Sequence, residues 1–432
     1  MQNQFSATPE QSVFHKLGLW YVYATPVLAG VSTFEIKSDE GFTVTGLLWV
    51  LQFAIGVLLL PFIWSSDAHR GDLRPWMPWL AWGAVLWISL LWCPGLGRRN
   101  VQETMQLCMP ILVGMIAASV IRTRADLRRL LSMFTITFGM LALFTLVFLS
   151  GVFDEDYIKT RVRPAALTMT LVGCVYLAGY PRRKVWPVVG WLACVALTVA
   201  TQSRMAAMTL LLAPVIFPLF QRRLTNIATA CVFALLGIGL FYTPVIQKRF
   251  FEDGSGKLSE AFQGDYAGAG RFEAWPLIWE EAWKRPLLGD GVGSAYDFVP
   301  EVWEDTNHCH NDYLRLFFET GVVGLTFFLI AAISQLVTLR RRIVESRSVV
   351  RTAYTAVWLG MWAMLVSSAT DNTILYNIYY TDLLFAVLGA AYGVTAAATA
   401  GAVPEAPLAG NLRTMQYNPI ARGDLFDRAS LS

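Results

Sequence analysis

Charge is scarce in this chain. Only 15% of its 432 residues are Asp, Glu, Lys or Arg, against roughly 25% in an ordinary soluble domain. With 55% hydrophobic residues and a mean hydropathy of +0.47, that scarcity argues against a soluble globular protein and for a polytopic membrane protein. A formal net charge of +3 gives no basis for a nucleic-acid partner. Cysteine is also sparse. Five of the six (Cys93, Cys108, Cys174, Cys194, Cys231) lie in apolar runs, where a thiol behaves as a small hydrophobe, and only Cys309 lies outside one, so no disulfide framework follows. Residues 1–16 are polar and lack a small-residue cleavage site, so the first span, about 17–34, is expected to act as a retained signal anchor. Two of only four histidines fall together in His308-Cys309-His310-Asn311, at the end of a polar stretch.

Further apolar spans read at about 42–63, 76–93, 101–121, 130–152, 164–180, 185–202, 205–220, 224–244, 312–339, 352–370 and 374–398. The expectation is about twelve transmembrane helices: a cytoplasmic N-terminus over 1–16, helices 1–9 over 17–244, one long outer loop over 245–311, helices 10–12 over 312–398, and a polar tail over 399–432 without fixed structure. The spans at 164–180 and 205–220 are short, as tilted or broken helices or segments covered by neighbours would be. Alternate loops differ in charge. One set, from Lys16 through Arg122, Arg124, Arg128 and Arg129 to Arg340, Arg341, Arg342, Arg347 and Arg351, holds 17 Lys and Arg; the other short loops hold 7. The positive-inside rule then puts both termini in the cytoplasm and the long loop outside.

That loop begins glycine-rich (Gly254, Gly256, Gly264, Gly268, Gly270) and then carries a helix signal. Trp275, Trp279 and Trp283 recur every four residues beside Pro276, with Glu280, Glu281 and Lys284 between them. The spacing predicts a short helix with an aromatic face, lying on the membrane surface or on the bundle, ending at Pro286 and the turn Gly289-Asp290-Gly291-Val292-Gly293. Without a preceding parallel strand that turn is only weak evidence for a phosphate cradle.

The residues suited to chemistry share the outer side. Arg161 and Arg163 precede Pro164 at the edge of a span, and Arg204 sits between two spans in Thr201-Gln202-Ser203-Arg204. Charges so near hydrocarbon persist by snorkelling, by pairing, or by holding an anionic ligand in a water-filled cavity. Asp154, Glu155, Asp156 or lipid phosphate would equally account for Arg161 and Arg163; Arg204 has no carboxylate near it in sequence; Arg271 could pair with Glu273. Several forked guanidinium groups converging on one cavity suit a diphosphate and would stabilise it as a leaving group without a metal. His308 and His310 admit three readings: structural histidines, a metal site completed by Cys309, Asp305 or Asp312, or proton transfer, with Asn311 or a nearby carboxylate fixing the ring.

One further pattern links these residues. His310-Asn311, nine residues, then Gly321-Val322-Val323-Gly324 resembles the signature of the O-antigen ligase family, WaaL, within the group that also holds Wzy-type polymerases and protein O-oligosaccharyltransferases. The upstream Arg271-Phe272-Glu273-Ala274-Trp275 and Pro286-Leu287-Leu288-Gly289 are similar to that group's outer loop. The resemblance implies a GT-C-like, inverting glycosyltransferase of the bacterial inner membrane that uses no metal or other cofactor. Its partners would be undecaprenyl diphosphate-linked O-antigen, lipid A core oligosaccharide and membrane lipid, meeting at the periplasmic face. By position His310 would be the general base, with His308 a second, unassigned histidine. Arg204 and Arg271 would grip the diphosphate, and Arg161 and Arg163 would be further ligands. A polymerase would use the same donor and base with another acceptor. A twelve-helix transporter is the alternative of another class, and no two-half symmetry is visible for it.

Overall fold

The computed structural model describes residues 13–33, 44–64, 73–149, 155–180, 185–201, 203–221, 231, 235, 239, 271–304 and 306–400. The expected span over 224–244 and the loop over 245–270 lie almost wholly outside these residues, as do Asp305, 1–12 and 401–432. The described chain is helical: α1 (Val13–Ser32), α2 (Val44–Trp64), α3 (Met77–Ser89), α4 (Arg98–Val120), α5 (Arg124–Leu149), α6 (Glu155–Leu177), α7 (Trp186–Ala200), α8 (Arg204–Gln221), α9 (Arg271–Ala282), α10 (Ala295–Val302), α11 (Asp312–Glu345), α12 (Ser348–Ser367) and α13 (Asp382–Thr399). Six stretches, in α2, α4, α5, α11, α12 and 377–399, are long and apolar enough to cross a bilayer; shorter apolar helices lie in α6, α7 and α8. The protein is an all-α polytopic membrane protein.

The helix starts are set by local chemistry that a hydropathy reading passes over. At α4 the Asn100 Oδ1 accepts the Gly97 N–H at 2.9 Å, so the helix begins three residues before its apolar run. At α5 the Thr123 Oγ1 accepts the Asp126 N–H at 3.1 Å and donates to Asp126 Oδ2 at 2.6 Å, a capping arrangement that starts the helix at Arg124. At α11 the cap is Asn311, whose Oδ1 accepts the Leu314 N–H at 3.0 Å.

The centre of the bundle is the pair α4 and α13, both largely buried. They approach so closely that a Cβ on Gly389 would stand 1.9 Å from Gly114 O, which only small residues permit. Around this pair the loops collect at two ends. One end joins 121–128, the Tyr180 hydroxyl on Arg128 O, and the ends of α11 and α13 with the start of α12. The other gathers the end of α1, the turn after α3, the start of α4, residues 284–311 and residues 368–381: Tyr379 donates to Ser32 O, Trp92 to Leu288 O and Asn100 to Val292 O. His308 and His310 lie at this second end.

Helix α11 is broken at Gly321, which takes φ 63°, ψ −167° inside it. The backbone groups freed there pair with the 286–291 turn: Asp290 N–H donates to Phe318 O, Gly291 N–H to Glu319 O, and Val322 N–H to Pro286 O. The glycine-rich turn is thus a plug for the break. The Asp290 and Gly291 N–H groups that a phosphate cradle would need are spent on α11, so the turn, only weak evidence for a cradle in sequence, does not have them free. A Cβ at 321 would meet Leu287 O at 2.2 Å on top of the left-handed strain. Gly321→Ala is expected to cost about 1–3 kcal/mol from backbone strain alone, with the overlap added, and to lower the unfolding temperature of the purified protein.

Candidate functional site

His310 stands where two loops meet. Residues 303–311 lead into α11, and residues 368–376 follow α12, in a region whose apolar neighbours suggested a helix from 374 onward. Instead the chain runs as a loop to 376, makes a wide π turn over Asn377–Thr381 and only then enters α13. The polar segment Thr370-Asp371-Asn372-Thr373, at the start of this loop, packs against the histidine loop.

The His310 backbone has φ +48°, a conformation that non-glycine residues rarely take and that marks a site held by its surroundings. Its Nδ1 lies 3.2 Å from Asn372 Nδ2 and 3.6 Å from Asp371 Oδ1, while Nε2 lies 3.4 Å from Thr306 Oγ1; Trp303 packs edge-on against the ring. The His310 and Asp371 side chains are 11% and 10% exposed, enclosed enough for their charges to act on each other and open enough for a ligand to reach. Asn372 Nδ2 can only donate, so a proton on Nδ1 requires the Asn372 amide to be turned over, which brings its otherwise unpartnered Oδ1 to the ring; Nε2 is then the basic nitrogen, and Asp371 stabilises the imidazolium formed when Nε2 takes a proton. Asn311 does not orient the ring; its side chain is engaged as the α11 cap. The carboxylate that does was missed by sequence reading because it lies far along the chain. The available signal was four polar residues in a row between two hydrophobic runs.

Neighbouring side chains fix the histidine loop. Trp275 of α9 donates its indole N–H to Cys309 O at 2.8 Å, and Cys309 itself is buried, with its thiol pushed upward by desolvation. Trp279 and Trp283 remain half exposed against Phe317, so the three tryptophans of α9 divide between clamping the loop and facing outward. Arg271 opens α9 one turn before Trp275. Arg161 and Arg163 lie on α6 and Arg204 opens α8; their side chains are outside the described residues. The helices that carry them connect to the site, since Thr168 of α6 donates to Tyr379 O and Thr170 lies 3.3 Å from Ala206 O of α8.

His308 differs from its neighbour. Burial, then Arg315, His310 and Arg99, hold its ring down at about 4, so it is neutral at ordinary pH. Its ring meets Tyr296 edge-on and faces a cavity of about 190 Å³ whose wall includes Arg99 and Gln102 of α4 and Asn372. Behind this wall Arg315 Nε lies 3.6 Å from Glu319 Oε2, both fully buried, an ion pair that sequence reading did not anticipate. No three His, Cys, Asp or Glu side chains converge among the described residues as a metal site would require.

Residues 188–329, from α7 through the break at Gly321, match the O-antigen ligase family. The match covers about a third of the chain and supports membership of the O-antigen ligase/Wzy superfamily. No curated protein matches the chain. The same family match supports an activity of the ligase and polymerase class. The matched stretch contains Arg204, Arg271, His308 and His310 but ends before Asp371 and Asn372, and it begins after Arg99, Arg161 and Arg163. The family match therefore rests on the segment carrying the histidine together with Trp303 and Thr306, while Asp371 and Asn372, the groups facing its Nδ1, come from outside it.

The depressed value at His308 has a consequence for stability. Between the ordinary value of 6.5 and about 4, the unfolded chain binds the proton and the folded chain does not, so stability rises with pH across that window and is lost as pH falls through it. His308→Gln removes this contribution. The drop in unfolding temperature from pH 6.5 to pH 4 should be smaller in that variant than in the unmodified protein.

Proposed function

We propose that the protein is an O-antigen ligase that transfers a glycan from undecaprenyl diphosphate to a sugar hydroxyl of lipid A core oligosaccharide, at the periplasmic face of the inner membrane. The observation that carries the reading is the His310 ring held between Asp371, Asn372 and Thr306. In the reaction the acceptor oxygen attacks the anomeric carbon from the face opposite the diphosphate, so configuration inverts. The carbon–oxygen bond to the diphosphate breaks, and the hydroxyl proton passes to His310 Nε2. Asp371 offsets the charge that His310 gains. Undecaprenyl diphosphate leaves with its negative charge, which Arg204 and Arg271, with Arg161 and Arg163, stabilise in place of a metal. Guanidinium groups stay charged throughout, so the leaving group meets a fixed positive field from the start.

Membrane placement supports the scheme. The donor's polyprenyl tail must remain in the bilayer while its sugar reaches water, which puts the diphosphate at headgroup depth, where helix ends carrying arginine are favourable. A polymerase would share every one of these features, and the acceptor alone separates the two activities.

The test uses the full chain reconstituted in liposomes with undecaprenyl diphosphate-linked glycan and lipid A core oligosaccharide. The unmodified protein should release undecaprenyl diphosphate and extend the core. His310→Ala should lower turnover about 100-fold or more, the contribution of a general base, and Asp371→Asn should lower it less, through kcat rather than acceptor KM. Equal rates for His310→Ala and the unmodified chain would overturn the base assignment. A product in which one lipid-linked glycan has been lengthened by another, with the core untouched, would replace ligase by polymerase.

A further inference from the structure

The 190 Å³ cavity beside His308 is not used by the scheme above. Half of its lining belongs to α4, outside the stretch that matches the family. Its α4 wall is Arg99, Gln102, Glu103 and Gln106, spaced i, i+3, i+4 and i+7, so the four side chains share one helix face. Polar residues on an apolar spanning helix are costly unless they face water, a partner or a ligand. Among the described residues the Gln102 and Gln106 amides have no hydrogen-bond partner, and both are only half buried, turned to the cavity.

The chemistry of the lining points away from a lipid tail and from a phosphate. A tail would require apolar walls, whereas Leu375 is the one aliphatic side chain here, among three amides, the Glu103 carboxylate, an imidazole, a guanidinium and the Tyr376 phenol. A phosphate would require excess positive charge, and Arg99 is paired with Glu103 at 3.3 Å, its guanidinium stacked on the Tyr296 ring. With His308 neutral and Arg99 offset by Glu103, the wall offers directional donors and acceptors with balanced charge, together with the Tyr376 ring. That combination fits the hydroxyls and apolar face of an uncharged sugar ring.

Position assigns the ring to one substrate. Asn372 lines the cavity and also stands 3.2 Å from His310 Nδ1, so a bound ring would lie one side chain from the base. α4, on which half of the cavity is built, also packs on the 377–381 segment but shares no substantial contact with α6 and α8, the helices that bear Arg161, Arg163 and Arg204. We propose that the cavity is a subsite for an uncharged pyranose of the acceptor oligosaccharide, with Gln102 and Gln106 as specificity-determining residues. The inference rests on the ligase reading for the identity of the acceptor, and its own content is that this face of α4 selects that sugar.

The experiment measures binding and transfer separately, with the full chain in lipid nanodiscs. Deacylated lipid A core oligosaccharide is titrated against the unmodified protein, Gln102→Leu, Gln106→Leu and Gln106→Glu, and acceptor and donor KM are measured in parallel. Each leucine variant should weaken core binding and raise acceptor KM about tenfold or more, with donor KM and kcat near their starting values. Gln106→Glu keeps a hydrogen-bonding side chain of the same length, so it should retain more binding than Gln106→Leu and serves if the leucine variants do not fold. Unchanged core binding in folded variants, a rise confined to donor KM, or no core binding by the unmodified chain would each overturn the subsite. Core binding that depends on Gln102 and Gln106 in a protein that transfers nothing would instead support the subsite and count against the ligase reading.

Discussion

One buried carboxylate holds the site together. Asp312, fully enclosed at the start of α11, accepts hydrogen bonds from Ser368 Oγ and from Ile374 N–H, both at 2.9 Å, while its own N–H donates to Ser368 O at 2.8 Å. Hydrogen bonds to a charged acceptor contribute about 1.5–3 kcal/mol each, so the 368–374 loop is fastened to the first turn of α11 at two points by one side chain. His310 precedes that turn by two residues, and Asp371 and Asn372 lie between the two fastened positions of the loop. The approach of imidazole and carboxylate is therefore a consequence of the Asp312 clamp. The pair would have little reason to persist on its own, since 3.6 Å between partly open groups is a weak contact.

The break in α11 completes the support. A straight helix from 312 to 345 would leave the 286–293 turn nothing to bond to, because every carbonyl of an intact helix interior is already used. Gly321 frees backbone groups, and the turn takes them, which draws α9 and α10 onto the start of α11. Trp275 then reaches Cys309 O and fixes the strand of backbone in which His310 adopts its left-handed conformation. The spacing between histidine and glycine seen in sequence has a physical origin: one turn of cap, two to three turns of buried helix, and a break placed where the outer loop can plug it.

What could be read from the sequence followed from how local each feature is. The helices, the two-ended distribution of charge and the importance of His310 and Gly321 depend on neighbours in the chain, and composition and short patterns report those. Asp371 and Asn372 depend on contacts between loops far apart in sequence, and they sit at the edge of an apolar run where a hydropathy window averages them away. Gln102, Glu103 and Gln106 were absorbed in the same way into a spanning helix, although their spacing marks a polar face. Asn311 was weighed as the residue that orients the ring, yet a side chain at the residue before a helix is claimed by the exposed N–H groups of the first turn. The tryptophan repeat was legible as a helix, while its division into one inward and two outward rings required the position of Cys309.

The two histidines, one residue apart, show how little sequence distance says about electrostatic role. His308 shares its surroundings with Arg99 and Arg315, whose positive charges add to burial and keep its ring neutral. His310 faces Asp371 instead. A helical or extended stretch would have presented alternate side chains with regular directions. The left-handed turn at His310 sends its ring to the 371–372 loop while His308 looks toward α4. The wall opposite His308 belongs to α4, which packs closely on α13 where Gly389 meets Gly114. Recognition on a fixed helix and proton transfer on clamped loops can then vary independently: a changed side chain on the α4 face alters what is held, and leaves the hydrogen bonds that position His310 untouched.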